Sequence, residues 1–211
     1  MPLPTYPEDF RLLLASSSPR RRDLLIAAGI PFETVSTDAV EEDIGTDPRR
    51  LAEQNALRKA RGARLPAGLH TKVFVLGADT VVVVGGRILG KPGDAGEAGD
   101  MLRRLSAVEH HVVTGVALIE LGVDGEVARE LVGASVTAVR FRSLSVGEID
   151  AYLLSEEWRG KAGAYAIQGL ASLFAEGIEG DHSNIVGLPL SLLGELLREA
   201  GFDPVRRVWR R

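Results

Sequence analysis

The sequence contains no cysteine. That absence excludes disulfides, thiolate nucleophiles, iron–sulfur ligation and cysteine zinc sites together. Histidine is scarce, with four in 211 residues. A three-histidine metal centre is therefore not expected, and a divalent ion would have to rest on carboxylate oxygens. No apolar run approaches the roughly 18 residues that a membrane span requires. The opening segment, MPLPTYPEDF, lacks a basic stretch followed by an apolar one. No secretion signal is expected, and the expected setting is cytoplasmic. What is present is a globular balance, 45% hydrophobic and 26% charged. Twenty-five basic and twenty-nine acidic residues leave a net charge of −4, which speaks against a general nucleic-acid coat or a stable nucleic-acid partner. The length suits one domain over 1–211 or two small lobes sharing a core.

The segment order predicts a mixed α/β fold. A strand over Arg11–Ala15 is followed by Ser16, Ser17 and Ser18, then by Pro19 and three arginines. Ser18 reads as an N-cap and Pro19 as the first helical residue; Gly29 closes that helix. Phe32–Ser36 reads as a second strand. Glu41, Glu42 and Asp43 form an acidic loop, and Asp47-Pro48 opens a helix to about Arg61. Pro66 and Gly68 break the chain. Val73–Val84 is the most hydrophobic segment, read as central strands interrupted by Gly77-Ala78-Asp79-Thr80. Gly85-Gly86 predicts a hairpin returning through Arg87–Leu89. Asp94 with Glu97, and Ser145 with Glu148, read as capping boxes. Val112–Leu121 and Val127–Phe141 read as paired strands turning at Asp124-Gly125. A short helix is expected over Leu170–Glu176, a final helix over Pro189–Ala200, and an edge strand in the tail around Val205, Val208 and Trp209. The pattern is not a regular doubly wound sheet.

Five constellations can carry chemistry. Ser16, Ser18, Arg20 and Arg21 stand where a strand gives way to a helix start, a position that binds anions through free N–H groups. A cation in a first helical turn opposes the helix dipole, and a bound anion would reverse that cost; a solvated basic face is the plain alternative. Asp79 is a carboxylate in an apolar setting, costly there unless paired; a turn residue is its plain alternative. Lys91 lies between Gly90 and Pro92, which restricts its backbone, although the proline excludes a Walker-type phosphate loop. Gly160–Gly169 carries Lys161, Tyr165 and Gln168, the last able to donate and accept at a base edge. Gly180–Pro189 holds Asp181, His182 and Asn184, with no H-E-x-x-H pattern. The G-x-S-x-G elbow of serine hydrolases is absent.

Taken in order, these segments resemble the Maf family of nucleoside triphosphate pyrophosphatases. Ala15-Ser16-Ser17-Ser18-Pro19-Arg20-Arg21 is similar to its N-terminal signature, Glu41 to its carboxylate after the second strand, and Lys59 to its helix lysine. Gly77-Ala78-Asp79-Thr80-Val81-Val82, Gly90-Lys91-Pro92 and His111-Val112-Val113-Thr114-Gly115 resemble its central blocks. Gly160–Gly163, Ile167-Gln168-Gly169 and Asn184–Pro189 resemble its C-terminal blocks. Departures are few: Val40 precedes Glu41 where aspartate is common, Ala107 follows Ser106 where glycine is common, and the hairpin around Asp124 is long.

The resemblance implies an elongated, mixed-sheet Maf/ITPase-like fold with two lobes around a central cleft. It also implies a homodimer, a role linked to septum formation, and a divalent cation, Mg²⁺ with Mn²⁺ or Co²⁺ as alternatives. The implied reaction splits a nucleoside triphosphate into monophosphate and pyrophosphate. Asp79 and Lys91 are then the expected catalytic residues. Ser16, Ser18, Arg20, Arg21, Lys59 and Gln168 are expected to bind substrate, and Glu41 with Asp79 to hold metal. Ala162-Gly163-Ala164-Tyr165 with Gln168 resembles the dTTP/UTP branch. A sister branch favouring 7-methyl-GTP, a broader-specificity branch and a non-catalytic nucleic-acid or division-protein binder remain the alternatives; the basic tail Arg206–Arg211 supports the binder.

Overall fold

The computed structural model describes residues 5–42, 45, 47–67 and 71–210. Asp43, Gly68 and Arg211, singled out above, lie outside the described residues. The elements run β1 (Leu12–Leu14), α1 (Pro19–Ala27), β2 (Glu33–Thr34), α2 (Pro48–Arg61), β3 (Val73–Val84), β4 (Arg87–Leu89), α3 (Ala95–Leu105), β5 (Glu109–Leu121) and β6 (Val127–Phe141). They continue with α4 (Val146–Leu154), β7 (Ala175–Glu179), α5 (His182–Val186), α6 (Leu190–Glu199), β8 (Phe202–Asp203) and β9 (Val208–Trp209). The main sheet has the order β2-β1-β3-β5-β6-β7, with β4 also paired to β3. Among the described strands only the β2-β1 and β1-β3 pairs are parallel. The mixed α/β architecture read from the sequence is the one observed.

One feature of this sheet builds the site. β1 pairs with β3 only through Leu76, and Ala15 N–H donates to the Leu76 carbonyl at 2.9 Å. β4 rejoins the same edge of β3 from Val82 to Val84. β5 runs unbroken along the other edge, from Val73 to Val83 of β3. The stretch 77–81 therefore has a strand on one side and a gap on the other. Asp79, paired in register with Gly115, sits in the middle of that gap. The expected interruption at Gly77-Ala78-Asp79-Thr80 does not occur: continuous pairing with β5 satisfies the backbone and carries one strand through it.

Side chains alternate across β3. On one face, Gly77 and Gly115 let α2 approach the sheet through Ala52, Ala56 and Ala60. A Cβ at Gly77 would overlap the Ala56 carbonyl oxygen, and one at Gly115 would overlap the Ala52 carbonyl. On the other face lie two apolar clusters. One gathers Phe74, Leu76, Val116 and Leu118 with α1 and α6. The other gathers Val82, Val112, Val139 and Phe141 with α3 and α4. Thr80 and Thr114, hydroxyls 2.9 Å apart, fall between them.

The α2–sheet contact carries its own prediction. Gly77→Ala overpacks a backbone-to-backbone contact, which costs about 1–3 kcal/mol. At about 2–4 °C per kcal/mol for this chain length, the melting temperature should fall by roughly 2–12 °C. An unchanged melting curve would contradict the close approach.

Several local expectations are corrected. Leu170–Leu173 is a short 3₁₀ turn, and Ala175–Glu179 is strand β7 on the edge of β6 rather than helix. The tail pairs with itself as a β8–β9 ribbon, not as an edge of the main sheet. Ser18 occupies the N-cap of α1, but its side chain makes no capping bond. Asp94 caps α3, while Glu97 reaches back to Gly93 N–H instead of closing the box. The Ser145–Glu148 box is complete. Ala107 adopts φ 60°, in the left-handed region that favours the glycine the resemblance led one to expect there.

Candidate active site

A cleft of about 640 Å³ opens at the gap in the sheet. Its walls are the β1–α1 loop (Ser16, Ser17, Ser18), the α1 arginines Arg20 and Arg21, the carboxylates Glu41 and Asp79, the lysines Lys59 and Lys91, and the segment from Arg159 to Gln168. Every residue assigned above to catalysis, substrate or metal lines this one cleft.

Asp79 is 4% exposed and Lys59 6%. Lys59 Nζ lies 2.6 Å from Asp79 Oδ1 and donates to the Ala78 carbonyl at 3.2 Å. The same ammonium lies 2.8 Å from Glu41 Oε1, and Lys91 Nζ is 2.6 Å from Glu41 Oε2. The four groups thus form a chain, Asp79–Lys59–Glu41–Lys91. Burial alone would push the Glu41 carboxyl up; hydrogen bonds and charge from Lys59 and Lys91 outweigh it and hold the group at about 2. Glu41 is therefore ionised across the neutral range.

Arg21, 9% exposed, is built into the wall. Its Nε donates to the Gly187 carbonyl at 2.7 Å, Nη1 to Ser16 Oγ at 3.1 Å and Nη2 to Thr80 Oγ1 at 3.3 Å. Burial draws its basicity down, opposed by the charges of Asp79 and Glu41. Burial likewise lowers that of Arg20, with the Arg21 charge adding to it. Neither guanidinium forms an ion pair with a described carboxylate. A buried guanidinium and a half-buried one, neither in a direct ion pair with a described carboxylate, face the cleft and make a place for an anion. Ser16 Oγ accepts from Arg21 and from Ser18 N–H at 3.3 Å; no basic side chain activates it as a nucleophile.

Tyr165 is buried against His110, with its hydroxyl 2.9 Å from Nε2. Burial lowers the His110 basicity to about 4 and raises the Tyr165 hydroxyl. The pair is a neutral polar contact that fixes the Gly160–Gly169 segment. Gln168, at the end of that segment, is exposed at the cleft and makes no side-chain hydrogen bond to a described residue. Asn184 is structural, its Nδ2 donating to the Val112 carbonyl and to Thr137 Oγ1 at 2.9 Å each. His182 is exposed on α5.

Two contributors were not read from the sequence as site residues. Thr80 links Arg21 to Thr114, and Asn55 donates to Asp79 Oδ2 at 3.0 Å. Asn55 stands one helical turn before Lys59 on α2, a spacing that places both over one point of the sheet.

Among the described residues no group of three or more histidines, cysteines and carboxylates could enclose a metal. Glu41 and Asp79 offer hard oxygen donors, but both already touch Lys59. That donor set fits a Mg²⁺-type ion that takes its remaining ligands from water and phosphate, not one held in an all-protein cage.

A mixed α/β fold whose sheet is parted by a cation-rich cleft around a buried carboxylate suits an anionic ligand. More narrowly, the chain belongs to the Maf family: the family model described as Maf-like protein matches residues 11–200. It is 46% identical over 192 residues to a dTTP/UTP pyrophosphatase of Ruminiclostridium cellulolyticum, covering 89% of this chain and 95% of the relative. It is 44% identical to a dTTP/UTP pyrophosphatase of Deinococcus radiodurans, with 95% and 97% covered. A relative of the same description from Thermococcus kodakarensis is 45% identical, with 93% and 100% covered. Among solved structures, the Staphylococcus aureus Ham1 protein is similar at TM-score 0.48 and 12% identity, over 90% of this chain and 99% of that one.

Proposed function

We propose that this chain hydrolyses nucleoside triphosphates to the monophosphate and pyrophosphate, with dTTP and UTP preferred. The observation that carries the reading is the cleft itself: Arg20 and Arg21 without carboxylate partners, beside the Asp79–Lys59–Glu41–Lys91 chain. A triphosphate brings about four negative charges at neutral pH, and four cations converge on the space that would receive it. Relatives named for dTTP and UTP supply the substrate class.

In this reading Arg20, Arg21, Ser16 and Ser18 bind the phosphate chain. Lys59 and Lys91 turn from Glu41 toward phosphate oxygens, Lys59 keeping its contact with Asp79 Oδ1, which frees lone pairs on Glu41. Asp79 orients the attacking water and takes its proton, and Lys91, the most accessible of the lysines, meets charge on the departing pyrophosphate. A divalent cation, when bound through Glu41 and Asp79, would supply polarisation of a phosphoryl oxygen. The proposal includes a homodimer, a cytoplasmic setting and a link to septum formation, all resting on the family resemblance.

Gln168 is proposed to read the base. Uracil and thymine present O4 as acceptor and N3–H as donor, and a carboxamide complements both. Gln168→Glu removes the donor to O4. An unmet polar pairing costs about 1–3 kcal/mol, or roughly 5- to 150-fold in kcat/KM for UTP and dTTP alike. Because Gln168 makes no hydrogen bond to a described residue, its melting temperature should hold. Relative preferences that stay unchanged across UTP, dTTP, CTP and 7-methyl-GTP would remove this role. The same panel on the wild-type chain tests the function: kcat/KM should be highest for UTP and dTTP, and turnover of none of them would overturn the proposal.

A further inference from the structure

We infer that Asn55 is a positioning residue that locks the Asp79 carboxylate to the Glu41 loop. The inference rests on the assignment of Asp79 and Glu41 to the reacting site. Asn55 is 2% exposed and lies on the buried face of α2 with Leu51, Ala52, Ala56 and Lys59. Packing alone would be met there by an apolar residue. Instead the position holds a carboxamide with all four of its hydrogen-bonding capacities in use. Nδ2 donates to the Glu42 carbonyl at 2.9 Å and to Asp79 Oδ2 at 3.0 Å. Oδ1 accepts from Glu42 N–H at 3.0 Å and from Arg58 Nη1 at 3.2 Å. Arg58 in turn holds Glu42 Oε1 at 2.6 Å.

This pattern fixes which way the amide faces. A flipped amide would set Oδ1 against two acceptors and Nδ2 against two donors. It also divides labour on Asp79: Lys59 holds Oδ1 and Asn55 holds Oδ2, so the carboxylate cannot rotate. The paired bonds to both backbone groups of Glu42 clamp the loop one residue after Glu41. One side chain thereby sets the distance between the two carboxylates of the cleft. Asn55 has no contact with the cleft's arginines or with Gln168 in the described bonds, so it should act on turnover rather than on capture of the triphosphate.

The test uses Asn55→Ala and Asn55→Asp in the full chain. The aspartate keeps size and both acceptor contacts while losing both donors. Three quantities are measured: kcat and KM for UTP with saturating Mg²⁺, the Kd of α,β-methylene-UTP with Mg²⁺ by calorimetry, and a melting curve. Loss of a residue that orients a reacting group typically costs about 10–100-fold, and that fall is expected in kcat for both variants. KM and the analogue Kd should stay within about threefold of wild type, the mark of an interaction felt mainly during turnover. A kcat within about twofold of wild type in folded variants would overturn the inference. So would a Kd that weakens in step with kcat, or failure of both variants to fold, since Asn55 would then be a binding or purely structural residue. Wild-type chain that releases no pyrophosphate would overturn the underlying assignment itself, and the wild-type control separates that failure from failure of Asn55 alone.

Discussion

Asp79→Asn should leave a folded chain that has lost at least about 100-fold in kcat, the scale of a directly used general base. The carboxylate faces a donor on each oxygen, Lys59 Nζ at 2.6 Å and Asn55 Nδ2 at 3.0 Å. An amide has only one oxygen. Whichever way it turns, its NH₂ meets one of those donors, and the negative charge that balances Lys59 is reduced to that of Glu41. The variant therefore loses the group proposed to take the water's proton and the fixed orientation of that group together. The buried donor left without an acceptor costs about 1–3 kcal/mol, so some loss of melting temperature accompanies the loss of turnover. Measured with UTP and dTTP at saturating Mg²⁺, alongside circular dichroism, near-normal kcat in a folded variant would remove Asp79 from the mechanism.

Arg21→Ala should lower kcat/KM for every triphosphate that the wild type turns over. The guanidinium is held by Gly187, Ser16 and Thr80 and has no described carboxylate partner. Its unmatched charge is then available to phosphate, which all nucleotides share. A hydrogen bond to a charged group contributes about 1.5–3 kcal/mol, which corresponds to roughly 10- to 150-fold. Arg21→Lys should recover only part of this, because the fork that reaches three acceptors at once is lost. The comparison is kcat/KM across UTP, dTTP, CTP and GTP. A loss confined to one base would assign Arg21 to base recognition, against the account, and no loss would make it a wall residue only.

Much of the architecture could be read directly. Asp47-Pro48 marks the start of α2 and Arg61 its end, because cap and proline chemistry act locally. Gly85-Gly86 marks the β3–β4 turn, where both residues take positive φ. Asp79 was legible as a carboxylate in an apolar stretch, whereas Lys59 and Glu41 were singled out only through the family resemblance. The gap that exposes Asp79 was not legible. It arises from how far β1 extends along β3, a matter of pairing between segments some 60 residues apart in sequence. Gly77 looked like a strand break because a glycine's reason is invisible until its neighbour is known; here the neighbour is the backbone of α2. Leu170–Glu176 misled because Leu170, Ala171 and Leu173 fit a helical pattern, while the edge of β6 offered unpaired backbone that Ala175–Glu179 fills. Asn55 falls inside the helix read from Asp47-Pro48 to about Arg61, yet its partners come from a loop and a strand that local spacing does not bring together.

The central claim is that the cleft splits a nucleoside triphosphate between its α and β phosphates. Phosphorus-31 NMR of the purified chain with UTP and Mg²⁺ observes that bond directly. The three UTP resonances should give way to those of UMP and pyrophosphate in equal amounts, and Asp79→Asn should slow the change at least about 100-fold. Appearance of UDP and inorganic phosphate, or a UTP spectrum that stays unchanged with the wild-type chain, would contradict the claim.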